Sequence, residues 1–378
     1  MAKSNRSNDP FFVSAGTDLL SGVICGLPGV WSAVGNAESR FFADDLEPVE
    51  IDRPIYVTGL ARGGTTILLE ALASVSGIAT HRYHDFPLVL APLLWNRLLR
   101  HMPSSQIAAT ERAHGDGIMV TPDSPEAMEE VVWMAFFDQL HTAGHNHVLG
   151  ADALNPKFDR FYRDHIRKML FVRGGTRYVA KGNYNVTRLD YLLRLFPDAR
   201  FVVPVRAPEG HIASLVKQHA LFTKHCVNNP RARRHLNRVG HFEFGPGRTA
   251  INTGDEDAAR EIEALWAAGE DVRGWALYWR SIYDFVLTRL DADPALRAAT
   301  LLVRFEDLCA SPTETLRTLS SHCGLEDPNG ALAKFAGQIR APAYYQPSFS
   351  DEDRRIIRSV TADTAARLGY DQVPANSA

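Results

Sequence analysis

The stretch Ile55-Tyr-Val-Thr-Gly-Leu-Ala-Arg-Gly-Gly-Thr-Thr66 constrains the fold of this chain more than any other. A short apolar run of strand composition enters a turn containing Gly59, Gly63 and Gly64, and the turn passes directly into a helix-forming segment at Thr65. A strand that feeds a helix through a glycine turn opens a βαβ unit, and so a parallel sheet with helices on its faces. The spacing G-x-x-x-x-G from Gly59 to Gly64, followed by hydroxyls at Thr65 and Thr66, has the outline of a phosphate-binding loop. Loops for nucleoside triphosphates place lysine directly after the second glycine and let the next Ser or Thr hold magnesium. Here that lysine position is Thr65, and the cation stands inside the loop as Arg62. Backbone amides at a helix N-terminus remain for an anion, while the triphosphate apparatus is incomplete.

Beyond the loop, strand candidates Tyr178–Ala180, Phe201–Val205 and Thr300–Phe305 alternate with helix candidates. The helices are expected over Thr65–Ser74, Pro87–Leu99, Pro125–Leu140, Phe158–Phe171, Leu189–Phe196 and Glu209–Leu221. A long helix from about Asp257 to Leu290 has Gly269 and Gly274 as its break points. Asp123-Ser-Pro-Glu and Ser311-Pro-Thr-Glu read as helix openings, with a capping side chain ahead of a first-turn proline. A chain of 378 residues with 45% apolar residues has ample core for one large domain. The expected fold is α/β: a P-loop-type parallel sheet flanked by helices on both faces, with helical additions at both ends. Residues 1–50 form the N-terminal helical extension packed on the main domain, 51–370 that domain, and 371–378 a tail. Within it, residues 223–250 carry a basic cluster and then Gly240, Gly245, Pro246 and Gly247. This segment is either a lid or binding loop or a solvated basic helix.

A formal net charge of -3 gives no support for general nucleic-acid binding, so any anion site must be a local gathering of Arg and Lys. Cys25, Cys226, Cys309 and Cys323 are scattered without metal-ligand or disulfide spacing, which fits reduced thiols in a cytoplasmic protein. Residues 11–34 are fairly apolar, but Asp18, several glycines and Pro28 interrupt them short of a bilayer-spanning length. They are read as an amphipathic helix packed on the main domain, with a peripheral membrane contact as the alternative.

The loop motif R-[SG]-G-T-T after a strand resembles the 5′-phosphosulfate loop of sulfotransferases that use 3′-phosphoadenosine 5′-phosphosulfate (PAPS). Three further stretches carry the same resemblance, in the family's order. Arg200-Phe-Val-Val-Pro-Val-Arg206 followed by Ser214 is similar to the family's strand-end Arg with a Ser eight residues on. Lys181-Gly-Asn-Tyr-Asn185 is similar to its lysine-bearing strand, and Leu302-Val-Arg-Phe-Glu-Asp-Leu308 to its late strand. The resemblance implies a cytoplasmic enzyme moving a sulfonate from PAPS to a hydroxyl of a carbohydrate, lipid or other small molecule by in-line displacement, with no metal required. It implies that Arg62, Gly63, Gly64, Thr65 and Thr66 hold the phosphosulfate, and that Arg206 and Ser214 hold the 3′-phosphate. It implies too that Lys181 stabilises the transferring group, and negative charge growing on the leaving phosphate calls for donors already in place.

The pattern breaks at the base. Relatives have His two or four residues after the lysine, and this chain has Asn183 and Asn185 there. The loop Thr80-His-Arg-Tyr-His-Asp-Phe-Pro87 supplies the replacement candidates, Asp85 first and His84 second, with Glu129 and Glu130 behind them. Where relatives place Trp after the loop hydroxyls, this chain has Ile67, so Tyr344 or Tyr345 is assigned to the adenine and Arg340 to the 3′-phosphate. Two rivals stand beside this reading. A P-loop nucleotide kinase or nucleotidase needs the absent loop lysine, and a non-catalytic nucleotide binder would explain the missing histidines.

Overall fold

The computed structural model describes residues 10–101, 109–340 and 348–370. Its strands in chain order are β1 (Ile55–Val57), β2 (Ile78–Ala79), β3 (Thr110–Glu111), β4 (Met119–Val120), β5 (Arg177–Lys181), β6 (Arg200–Val205) and β7 (Thr300–Arg304). β3 and β4 make a small antiparallel hairpin, and the other five make one parallel sheet in the order β2-β5-β1-β6-β7.

Alternation along the strands sorts the core into two layers. Ile55, Val57, Val179, Val202 and Val303 face Leu68, Leu69 and Leu72 of the helix Thr65–Ala73 and Leu316 and Leu319 of Pro312–Cys323. Tyr56, Tyr178, Phe201 and Val203 face the other way, into the layer that holds Phe158, Tyr162 and Ile166 of Pro156–Arg173 and Tyr283 and Val286 of Asp271–Ala292. Both faces are covered, which is why the strands read as continuous apolar runs. Each buried side chain of this size contributes about 1.5–3 kcal/mol. Pro204 is tolerated inside β6 because it lies past the last β1 pairing, Val57 with Val202, where the ladder asks for no further donor.

Several boundaries differ from the sequence expectation. The long helix divides into Glu256–Ala267 and Asp271–Ala292. The break is at Gly269, whose φ of 81° only glycine adopts readily, and Gly274 sits inside the second helix against the Trp266 ring. The helix expected from Pro87 begins at Pro92, and Pro125–Leu140 is helical only over Glu130–Met134. Ser311 opens its helix without a side-chain cap bond; its amide instead donates to the Asp307 carbonyl.

The N-terminal helices Ala15–Cys25 and Pro28–Phe41 pack on the body of the protein. Lys168, fully buried, holds the second of them by pairing with Glu38 at 3.1 Å and donating to the Gly35 carbonyl at 2.9 Å. Among the described residues, no single helix is long and apolar enough to cross a membrane.

Candidate active site

In parallel α/β sheets, ligands bind beyond the carboxyl ends of the strands, where neighbouring connections diverge. Here β1 is central, with β5 and β6 on either side, so the residues after Val57, Val205 and at Lys181 meet. The loop after β1 achieves its tight course through left-handed backbone at Gly59 (φ 135°) and Gly64 (φ 111°). A Cβ on Gly64 would sit 3.0 Å from the Phe305 ring, and one on Gly63 would sit 3.1 Å from the Leu60 carbonyl. Gly64 then serves as N-cap of the helix Thr65–Ala73 without a capping side chain.

The two signature segments converge on this loop. Arg62 Nε donates to Ser214 Oγ at 3.2 Å, and Arg206 Nη1 donates to the Arg62 carbonyl at 3.4 Å. The short helix Phe305–Ala310 that follows β7 contributes too, since the Arg206 guanidinium lies 4.8 Å from the Phe305 ring centroid and Glu306 accepts from the Ala207 amide. Ser214 is carried on the helix Pro208–Cys226. Lys181, at the end of β5, donates to Thr66 Oγ1 at 3.2 Å, and the Arg112 guanidinium donates to the same hydroxyl at 3.1 Å. Beside Arg62 inside the loop, two further cations thus arrive from outside it, near where the absent lysine would stand. Burial lowers the Lys181 pKa, Arg112 and Arg62 add to that, and Glu126 and Glu243 work against it.

A cavity of about 530 Å³ opens beside Arg62, Thr65, Thr66 and Lys181, within the usual size range of small-molecule sites. Its lining includes Arg112, Glu126 and Glu243, which the sequence reading did not select. Arg112 and Asp116, on the β3–β4 hairpin, form a buried pair, and Asp116 Oδ2 also accepts from Arg62 Nη1 at 2.7 Å. Burial alone would raise the Asp116 carboxyl, but Arg112 and Arg62 hold it well below the ordinary carboxylate range. Glu126 lies 3.9 Å from Lys181 Nζ and is the only carboxylate among the described residues in ion-pair range of that ammonium. Burial favours its neutral form, yet Lys181, the Tyr83 hydroxyl and the Ala127 amide keep its pKa below the ordinary value. On the opposite side Asn183 donates to Glu243 at 2.8 Å, and Glu243 lies 3.2 Å from His241.

The outer wall is built of rings. Phe222 stacks on His241 with centroids 5.0 Å apart, and Phe11, His114 and Phe244 surround it. Burial pushes the pKa of His114 far down, helped by Arg112 and Arg62, and that of His235 down to about 4. Those two rings are neutral, so they present mainly apolar surface. The segment of residues 223–250 combines both expectations: Pro230–Arg238 is a basic helix, and Val239–Phe244 lines the cavity.

The proposed bases are arranged differently from expectation. Asp85 is buried away from the cavity, bonded to Arg173 at 2.5 Å, to the Arg82 amide at 2.8 Å and to His81 at 3.3 Å. Burial opposes its charge, but His81 and Arg173 outweigh burial and keep it ionised. His84 does reach the cavity wall, with Nδ1 3.2 Å from Asp123 and a pKa lowered chiefly by burial. Glu129 is enclosed by Tyr162, Tyr178 and Asn185, and Glu130 lines the cavity but is clamped by Arg188 and His141. Asn185 therefore faces Glu129 rather than an acceptor. Arg340 donates to the Ile339 carbonyl, and Tyr344 and Tyr345 lie outside the described residues.

A parallel sheet whose central strand ends in a glycine-rich anion loop makes this a P-loop-type α/β protein. The chain belongs to the sulfotransferase family: the model of the Sulfotransferase family matches residues 54–242, half of the chain, and the match includes both the loop and the Arg206–Ser214 pair. The structure is similar to sulfotransferase STF1 of Mycobacterium tuberculosis H37Rv, with 16% identity, 88% of this chain and 81% of that one covered, and a TM-score of 0.45. It is also similar to STF9 of Mycobacterium avium (14% identity, 87% and 81% covered, TM-score 0.47). A sulfotransferase from Alicyclobacillus acidocaldarius gives 15% identity, 84% and 95% coverage and a TM-score of 0.40. No curated protein sequence matches the chain.

Proposed function

We propose that this protein transfers a sulfonate from PAPS to the hydroxyl of a small acceptor held in the ring-walled cavity. The observation that supports the donor assignment is that Ser214 and Arg206 both meet Arg62, Ser214 at its side chain and Arg206 at its carbonyl. A nucleotide with a 5′-phosphosulfate and a 3′-phosphate would use all of them, and the Gly63–Gly64 cradle has no room for side chains that would block an anion. Asp116 on Arg62 and Arg112 supports the reading, because a carboxylate already sits on the guanidiniums assigned to the donor's anionic group. PAPS supplies an activated sulfonate; the chain binds and orients it. Lys181 and Arg112, both on Thr66, stand ready to meet charge that grows on the leaving side.

Glu126 is the group we assign to the acceptor proton, in place of Asp85. It is ionised, it lines the cavity, and it neighbours Lys181. The wall of Phe11, Phe222, Phe244 and neutral His114 suits an acceptor with a sizeable apolar body, such as a hydroxylated lipid, better than a bare sugar. The free thiols of Cys25, Cys226, Cys309 and Cys323 accompany a cytoplasmic location. Calorimetry with adenosine 3′,5′-bisphosphate and with AMP tests the donor. Losing the 3′-phosphate contacts should cost about 1.5–3 kcal/mol, and equal affinities would reject the assignment. A panel of hydroxyl acceptors with radiolabelled PAPS then ranks apolar against carbohydrate acceptors.

A further inference from the structure

Away from the cavity, the outer face of the first two helices gathers several of the exposed large apolar side chains among the described residues. Leu19 is 71% exposed, and Leu20, Val23, Leu27 and Val30 are each about half exposed. Between residues 15 and 30 the only ionisable side chain other than Cys25 is Asp18, and it is tied to Arg234 and Arg238 of the helix Pro230–Arg238. Scattered exposed leucines are normal in soluble proteins, but a contiguous run with no unpaired charge marks an interaction surface.

Two neighbours say what the surface meets. The helix Pro230–Arg238, held alongside by the Asp18 pairs, exposes Arg231, Arg233 and Arg234 to solvent, so the apolar strip has a basic border. Immediately before the strip, Phe11 to Val13 line the cavity, and Phe12 is 48% exposed at its mouth. An apolar strip with a basic border is complementary to an anionic lipid surface, whose acyl boundary takes the apolar side chains and whose headgroups attract arginine. A second copy of the chain would bring another set of the same arginines to the seam, with no free carboxylate in residues 15–30 to answer them. The helices have 11 and 14 residues and are bent by 77° from each other, so neither alone reaches across a bilayer of about 30 Å, and the bend suits a pair lying along the surface.

We propose that Ala15–Cys25 and Pro28–Phe41 dock this protein on an anionic bilayer, with Arg231 and Arg233 toward the headgroups and the cavity mouth at Phe12 opening beside that surface. The test is flotation of the full chain with phosphatidylcholine vesicles, with and without phosphatidylglycerol, together with sedimentation velocity in lipid-free buffer. Vesicles containing phosphatidylglycerol should carry the protein up the gradient. Leu19→Ser combined with Val23→Ser and Val30→Ser should weaken binding about tenfold or more while thermal unfolding is unchanged, since these side chains are already exposed. Arg231→Glu with Arg233→Glu should remove the preference for anionic vesicles. Failure of the unmodified chain to float with anionic vesicles would overturn the proposal. So would a concentration-dependent dimer that the triple serine variant dissolves, because the strip would then belong to a second copy. Neither readout depends on catalysis, so the result is independent of the donor and acceptor assignments above.

Discussion

The two sides of the cavity are built on different principles. The side proposed for the donor is made of polar groups fixed by backbone: the Gly59–Thr66 loop, the strand ends at Lys181 and Arg206, and hydrogen bonds from Arg62 and Arg112. The side proposed for the acceptor is made of rings from Phe11, His114, Phe222, His241 and Phe244, which meet one another by ring contact, with Glu243 beside His241 as a polar neighbour. The first arrangement tolerates little change in geometry, whereas ring packing depends on volume and shape and admits substitution more gradually. Chemistry that must be repeated at one sulfur favours the first; recognition of an acceptor's body needs only the second.

The sharpest way to break this contrast is Glu126→Gln, which keeps shape and removes basicity. It should lower kcat by roughly 10²–10⁴ with bisphosphate affinity nearly unchanged. Unchanged turnover would return the base to His84, the other candidate on the cavity wall. Asp85→Asn tests the same question from the opposite direction. Breaking a buried pair of this kind costs about 3–5 kcal/mol of stability, read in urea or thermal unfolding, while kcat per folded molecule should hold. A loss of kcat with full stability would place Asp85 back in the chemistry. The Asp85 contribution has a pH signature as well. Its folded pKa is depressed, so the stabilisation is complete above the unfolded value of about 3.9 and is lost as pH falls further, through the folded value.

The donor side should respond next. Arg206→Ala is expected to weaken adenosine 3′,5′-bisphosphate by about 1.5–3 kcal/mol and AMP hardly at all, measured by calorimetry. Equal losses for both nucleotides would mean that Arg206 acts through the loop carbonyl of Arg62 alone. The acceptor side should respond least: Phe12→Ser, at the exposed mouth, should raise the acceptor KM by about 1 kcal/mol or less and leave donor binding intact. A matching loss of donor affinity would show that the two sides are not separable.

What was legible in the sequence follows the same division. Gly59–Thr66 could be read because a strand, a tight turn and a helix are consecutive, and because Gly64 needs a backbone region that other residues avoid. Arg206 and Ser214 could be read because eight residues span a strand end and the next helix. Glu126 could not, because Ser124-Pro-Glu looks like a helix opening, whereas Pro125 instead bridges to Arg82 and delivers Glu126 to the cavity. The surroundings of Asp85 were hidden for a related reason. Its histidine-rich loop looked like an acid–base centre, but the partner that fixes it, Arg173, lies 88 residues away at the end of a helix that sequence spacing does not connect to it. Arg112 and Asp116 left one local trace, an i, i+4 pair, which is common on any surface helix and here sits on a hairpin.

The Asp116 carboxylate, bonded at once to Arg62 and Arg112, changes what donor entry means. A bare pair of guanidiniums would collect any passing phosphate and release mobile counterions when it did. With a tethered carboxylate already in place, entry of the donor proposed above would be an ion exchange in which the incoming group displaces a ligand that cannot diffuse away. Affinity is then a difference between two bound anions, so it selects against weakly charged competitors. The hairpin that carries Asp116 is moreover the same β3–β4 element that carries Arg112, so a displaced carboxylate would stay tethered beside its partner.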